Sequence, residues 1–367
     1  MKIQRLLLGA IASLSLMMCT ACIVAGTETS GTGLYAFDES SSKILAWDDL
    51  ETLYTSGSTS SVTTAPTPDR TLTSDYLADI DTLGLGGMCM DRTHGRLWLV
   101  STTGLIARID SIRSRSGALT SSYIRTFQLD SDDFLDDSTF GQMAVDSSGN
   151  LYITEWNSSN SRIWVISSPT SYAQDDTVSS SSATLLTTSK DYNGYGVAVT
   201  SSRVYAYFNS GKTLSDDSDN SYSGARLRLG TSSAFSKVII GDETEFASYG
   251  LLAADSTNSL VYTAISTNAT NPVIAYKNSQ FSKTYNNVAP SIQLPGNTAN
   301  PIYVTVIAHP GNKDWLVGSG STSSSSTSPT YLTLWKSPAT DTSTEPVVFN
   351  YGYAMRGIAL DGSASSE

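Results

Sequence analysis

An all-β, six-bladed β-propeller is the fold class that this sequence predicts, and three observations predict it. A Tyr or Trp sits in a short strand-like run six times, at Leu34-Tyr35, Leu97-Trp98, Leu151-Tyr152, Val204-Tyr205, Val261-Tyr262 and Asp314-Trp315, with successive aromatics 63, 54, 53, 57 and 53 residues apart. An apolar run, usually opening on Gly and ending in Asp, precedes every pair but the first. The composition, 40% hydrophobic and only 15% charged with abundant Ser, Thr, Gly and Tyr, suits short strands joined by polar turns rather than long helices. A repeat of this period built from several short strands is one blade of a propeller.

In chain order, the first element is an export signal. Lys2 and Arg5 form a basic start and Leu6 to Met18 an apolar stretch of signal-peptide length, shorter than the roughly 20 apolar residues that span a bilayer. Met18-Cys19-Thr20-Ala21-Cys22 follows and resembles a bacterial lipobox, in which a small residue precedes the Cys that is acylated. The resemblance implies a signal peptide over residues 1–21, lipidation of Cys22, and a small, polar tether over 22–32. Three acyl chains, each contributing about 0.8 kcal/mol per buried methylene, would make the anchoring permanent. Ile23, where Asp would favour inner-membrane retention in enteric bacteria, points to the outer membrane of a bacterial cell envelope, on its periplasmic or surface side.

With Cys19 removed and Cys22 acylated, Cys89 is the one thiol left, so ring closure must be non-covalent. The formal net charge is −12 for the full chain, and more negative once Lys2 and Arg5 are removed, which excludes a nucleic-acid binder with a basic footprint.

The ring occupies residues 33–362, with a short tail at 363–367. Inner strands A are read at Gly86–Asp91, Gly141–Asp146, Gly196–Thr200, Gly250–Asp255, Val304–His309 and Gly357–Asp361. Small residues suit a strand crowded around an axis, and a terminal Asp suits the next turn by accepting from its amides. Strand B carries the aromatic. Strands C are read at 43–48, 105–110, 162–167, 225–230, 273–277 and 332–336, where Trp47 and Trp335 hold equivalent positions and should pack between blades. Outer strands D are clear only at Tyr123–Leu129. The chain starts at a strand B and ends at a strand A, so residues 353–361 should supply the inner strand of the blade begun at 33–49 and leave no open seam. A monomer is expected.

One repeat, Asp146-Ser147-Ser148-Gly149-Asn150-Leu151-Tyr152-Ile153-Thr154-Glu155, followed by Asn160-Ser161-Arg162-Ile163, resembles the NHL repeat, with Glu155 standing where that repeat has Asp. The resemblance implies two kinds of relative: NHL binding scaffolds and the metal-dependent hydrolases of the gluconolactonase group.

In a propeller the D-to-A and B-to-C connections open on one end of the ring, and the A-to-B and C-to-D connections on the other. The first end should be acidic, receiving Asp75, Asp79 and Asp81, then Asp132, Asp133, Asp136 and Asp137, then Asp191, Asp216, Asp217, Asp219, Asp242, Glu243 and Glu245. The second should be mainly basic, with Arg92, His94, Arg96, Arg113, Arg115, Arg203, His309 and Lys313, and with Asp175 and Asp176 as exceptions. Carboxylates this dense could draw Ca2+ or another divalent cation, with Asp130, Asp132 and Asp136 the candidate ligands, although the run lacks the Gly and terminal Glu of an EF-hand loop. Without a ligand they form a solvated acidic loop.

A hydrolase of the gluconolactonase type would hold calcium or zinc on the axis, and Glu155, Asn157 and Asn193 are the nearest candidates for its catalytic set. The inner strands, however, carry Met, Cys, Ala, Val and Leu where ligands would stand. Both histidines fall in predicted turns, and no phosphate-binding loop or paired-Cys motif occurs. Binding is therefore the favoured function, with a protein or glycan partner and with Trp156, Glu155, Asp132, Asp133, Asp136, Asp137, Asp216, Asp217 and Asp219 as the surface. Ser/Thr-rich stretches at 179–188 and 319–327 are read as solubilising loops.

Overall fold

The structure, a computed structural model, describes residues 31–187, 193–215, 220–326 and 328–362. The signal peptide, Cys19, Cys22, most of the tether, the tail, Asp191, Asp216, Asp217 and Asp219 lie outside the described residues. Six antiparallel sheets follow one another along the chain as the blades of a propeller. In the order A, B, C, D, blade 2 is Leu85–Asp91, Arg96–Ser101, Leu105–Ile109 and Ile124–Leu129. Blade 3 is Thr139–Val145, Leu151–Trp156, Ser161–Ile166 and Thr184–Thr187, and blade 4 is Gly194–Val199, Val204–Ser215, Ser221–Gly230 and Phe235–Ile239. Blade 5 is Leu252–Asp255, Leu260–Ala264, Val273–Lys277 and Ile292–Leu294, and blade 6 is Tyr303–Ala308, Trp315–Ser321, Tyr331–Lys336 and Val347–Asn350.

Blade 1 joins the two ends of the chain. Its strands B, C and D are Thr32–Asp38, Lys43–Trp47 and Arg70–Thr73, and its strand A is the last strand of the protein, Met355–Gly362. The pairing is antiparallel, with Leu34 opposite Leu360 and Ala36 opposite Ile358, which is the closure expected from the phase of the repeat.

The repeat aromatics have a single job. Side chains on a strand alternate between its faces, so each strand B presents one set to the preceding blade and the other to the following one. Tyr35, Trp98, Tyr152, Tyr205, Tyr262 and Trp315 all pack into the cluster shared with the following blade, and Trp315 closes the circle on blade 1. Each ring buried in this way contributes on the order of 1.5–3 kcal/mol. Trp47 and Trp335 are buried at the interfaces on either side of blade 6, and their indole N–H groups donate to the carbonyls of Pro66, in the C-to-D connection of blade 1, and Pro295, just after strand D of blade 5.

Small residues on strand A are required by the axis. A Cβ on Gly87 would stand 2.7 Å from the Gly141 carbonyl oxygen, and one on Gly196 would stand 2.7 Å from that of Gly250, so neighbouring inner strands could not approach as they do.

Three features were not anticipated. Two short helices interrupt the all-β pattern: α1, Leu50–Thr55, capped by Asp49, and α2, Asp75–Thr82, capped by Ser74. Leu50 and Leu53, then Leu77 and Ile80, are their buried faces. The strands Val204–Ser215 and Ser221–Gly230 run well beyond the predicted strand C of blade 4 as a long hairpin. Finally, four C-to-D connections send a two-residue strand onto the outer edge of the preceding blade, always parallel: Thr63–Thr64 on Val347–Asn350, Gly117–Ala118 on Arg70–Thr73, Thr177–Val178 on Ile124–Leu129 and Tyr285–Asn286 on Phe235–Ile239. These straps cover sheet edges that would otherwise template association with other chains.

The stretches read as loops at 179–188 and 319–327 are partly sheet. Thr184–Thr187 is strand D of blade 3, and Ser319 and Ser321 are buried in strand B of blade 6, with the Ser319 hydroxyl donating to the Met355 carbonyl at 2.7 Å.

Candidate functional site at the D-to-A end

Glu155, next to last in strand B of blade 3, is wholly buried rather than open to a ligand. The B-to-C hairpin places Arg162 directly opposite it. One carboxylate oxygen accepts from Arg162 Nε at 2.5 Å and from Trp164 Nε1 at 2.7 Å. The other accepts from the Leu135 amide and the Ser138 hydroxyl, both at 2.7 Å. With both oxygens committed, Glu155 is a positioning residue that fixes the acidic loop between blades 2 and 3. Its expected role as a catalytic or binding group on the mouth is corrected by this burial.

The loop it holds is built from local capping. Asp130 caps a turn of 3-10 helix at Ser131–Asp133. The Asp133 carboxylate accepts from the Ser180 amide and hydroxyl at 2.6 and 2.7 Å, and these two bonds hold its pKa below the usual carboxylate range. Asp132 is exposed, and Asp137 takes a left-handed backbone at φ 52°. Asn157 folds back on its own turn, accepting from the amides of Ser159 and Asn160, while its Nδ2 donates to the Asp136 carbonyl at 2.8 Å. Among the described residues no three His, Cys, Asp or Glu side chains come together to hold a metal ion, so Asp130, Asp132 and Asp136 do not form such a group.

Trp156 stands one residue past Glu155 and packs against Gly141, leaving it half-buried. It meets Tyr195 edge-on with centroids 5.4 Å apart, and Tyr195 meets Tyr249 at 4.7 Å. The three rings come from blades 3, 4 and the connection into blade 5, and Tyr249 is 36% exposed, one of two exposed large hydrophobics among the described residues. Trp156 was legible in the sequence as a mouth residue; Tyr195 and Tyr249 were not, because their proximity follows from ring closure rather than from spacing. Asn193, beside Tyr195, has φ 54° and uses its carbonyl to accept from the Asn209 amide.

One side chain ties three inner strands together at the axis. Gln142 Oε1 accepts from the Val197 and Leu252 amides at 3.0 and 2.8 Å, and its Nε2 donates to the Leu252 carbonyl at 2.7 Å. It thus links the inner strands of blades 3, 4 and 5. A cavity of about 110 Å³ follows the inner strands and is lined by apolar residues such as Met88, Met143 and Ala198 together with Cys89, Arg92, Gln142 and His309. Burial, and then the negative Asp91, push the Cys89 thiol well above its ordinary range, which disfavours its thiolate.

The opposite end is not uniformly basic. Arg96 pairs with Asp110 at 2.9 Å, Arg108 with Asp110 at 3.0 Å, and Arg113 with Asp361 at 2.6 Å. Asp91, Asp146 and Asp255 sit there because each accepts from amides of its own A-to-B turn, so the capping role that recommended Asp also mixes the charge. The first end is mixed as well, with Arg356 bonded to Glu39 at 2.9 Å and Arg162 to Glu155. A charge-segregated disc is therefore corrected to paired charges at both ends.

The histidines do have acids beside them: His94 Nδ1 lies 2.8 Å from Asp91, and His309 Nε2 lies 3.5 Å from Asp255. Neither ring has a hydroxyl or thiol among its hydrogen-bond partners in the described residues, so no nucleophile is activated there.

Neither known protein families nor curated proteins yield a match to this chain. Among solved structures, it is similar to the β-propeller domain of Myceliophteria thermophila Cps50 (Swd1), with 9% identity over 88% of each chain and a TM-score of 0.44.

Proposed function

We propose that this protein is a lipid-anchored, extracytoplasmic binding or scaffold module of the bacterial envelope, held through Cys22 and engaging a protein or glycan through the D-to-A end of its ring. The observation that carries this reading is the buried Glu155, whose four hydrogen bonds hold the acidic loop next to Trp156, Tyr195 and Tyr249. A surface ordered before its partner arrives loses less conformational freedom on binding. Exposed carboxylates around an aromatic platform suit a polar partner with a flat apolar face, a description that fits a peptide side chain or a sugar ring.

The alternative, a metal-dependent hydrolase of the gluconolactonase type, rests on the NHL-like repeat around Asp146 to Ile163. It would need several carboxylates or amides converging on the axis, where this chain has Met, Cys, Ala and Val around Gln142. Binding is the reading with a surface to support it.

Two measurements test it. Cys22→Ser should move the full-length protein from the membrane to the soluble fraction. Purified protein should retain an envelope component that a Trp156→Ala, Tyr249→Ala double variant loses at unchanged melting temperature; equal retention by the variant would remove the aromatic platform from the account.

A further inference from the structure

The axial cavity reaches the A-to-B end of the ring, where one apolar residue from each blade lines it: Met90, Val145, Val199, Ala254, Ala308 and Leu360. Its charge is one-sided. Among the described residues that line it there is no Asp or Glu, and His309, whose pKa burial lowers to about 4, is neutral near pH 7. Arg92 is left as the single charge on the wall, in a protein whose net charge is −12.

Arg92 lies across that end of the axis. From the A-to-B turn of blade 2, its Nη1 donates to the Pro310 carbonyl in the corresponding turn of blade 6. Its guanidinium rests on Gly311, another lining residue, where a Cβ would stand 2.7 Å from Nη2. Among the described residues the Pro310 carbonyl is its one hydrogen-bond acceptor, and it forms no ion pair. Two carboxylates, Asp361 and Asp91, oppose the lowering of the Arg92 pKa by burial, but both are bonded elsewhere. Asp361 accepts from Arg113, and Asp91 accepts from the His94 amide. A guanidinium has five N–H donors, and holding it half-buried with one acceptor is costly unless an anion supplies the rest.

We propose that this cavity binds a small aliphatic carboxylate of about three to five carbons, with its charge on Arg92 and its chain between the inner strands. Size sets the limit on the chain. An apolar cavity of about 150 Å³ admits benzene, so one of about 110 Å³ admits a shorter chain and excludes a peptide or a glycan. The site is separate from the aromatic platform at the D-to-A end and does not depend on the function assigned to that surface.

The probe is sodium butyrate, titrated into the intact protein labelled with 13C at its methionine methyl groups. Met88, Met90 and Met143 line the cavity, whereas Met355, buried at the start of the last strand, does not. Saturable shifts of the first three signals with Met355 unmoved are expected. Butyramide, which lacks the charge, and the Arg92→Gln variant should each raise the dissociation constant at least about tenfold, the size of a hydrogen-bonded charge. Comparing butyrate with butyramide on the wild-type protein needs no folded variant. No saturable shift at the three lining methionines, equal binding of butyramide, or undiminished binding by a folded Arg92→Gln protein would each overturn the proposal.

Discussion

Arg113, in the C-to-D connection of blade 2, grips Asp361, near the end of the last strand, with Nε and Nη2 on the two carboxylate oxygens at 2.6 and 2.8 Å. The other strand A carboxylates, Asp91, Asp146 and Asp255, accept from the turn that follows them. Asp361, next to last in its strand, instead turns its carboxylate to the neighbouring blade.

The ion pair should therefore stabilise the closing strand in particular. Asp361 is buried and Arg113 about half-exposed, so Asp361→Ala is expected to cost about 1–3 kcal/mol, read as a lower urea midpoint with an unchanged slope. Deleting Tyr353–Glu367 removes the whole inner strand of blade 1 and should abolish cooperative melting. A truncated protein that melts at the full-length temperature would show that the ring does not depend on its C-terminal strand.

Glu155 gives the second prediction. Replacing it with Ala leaves the Arg162 guanidinium and the buried Trp164 N–H without their shared acceptor, and losing one partner of a buried ion pair costs about 3–5 kcal/mol. Glu155→Ala should lower the melting temperature sharply and speed amide exchange across residues 130–138. Unchanged exchange in that loop would mean that Glu155 does not hold it.

The contrast between Glu155 and Tyr35 shows what the sequence could convey. Tyr35 and its five counterparts recur at a fixed period because each packs on the next blade, so periodicity located the strands, the phase and the closure. Glu155 occurs once, and its burial is decided by a loop twenty residues earlier; its one local signal was Arg162, seven residues on across a hairpin. The straps carried no signal at all, since two residues cannot display a period of two. The helices did leave traces, Ser74 before Asp75 and the spacing of Leu77 and Ile80, which the reading of Asp75, Asp79 and Asp81 as loop charges passed over. Tyr195 meets Trp156, and Tyr249 meets Tyr195, only because three blades converge at the axis.

Metal removal separates the two functional readings. A ligand that binds only the folded state raises its stability, so a resident calcium or zinc ion would make melting sensitive to chelator. The binding reading expects the same melting temperature with and without EDTA, and no stoichiometric metal by elemental analysis. A drop of several degrees on chelation, restored by one cation, would revive the hydrolase.

His309 sets the last prediction, a dependence on pH. Its ring is buried in the A-to-B turn of blade 6, stacked on Tyr262 at 5.5 Å, with Nδ1 accepting from the Gly311 amide at 2.8 Å. That bond fixes the neutral tautomer with hydrogen on Nε2, toward Asp255. Burial lowers the His309 pKa to about 4; Asp255 opposes the shift, and Arg92 adds to it. In the unfolded chain the ring titrates near 6.5, so between about 6.5 and 4 the unfolded state binds more protons than the folded one. Stability from this group is complete above about pH 6.5 and lost as the pH falls toward 4, by up to about 3 kcal/mol. Because carboxylates also titrate in the lower part of that range, the quantity to measure is the unfolding free energy of wild type minus that of His309→Gln at each pH. That difference should decline between pH 6.5 and 4, and a flat difference would place the His309 ring in contact with solvent protons.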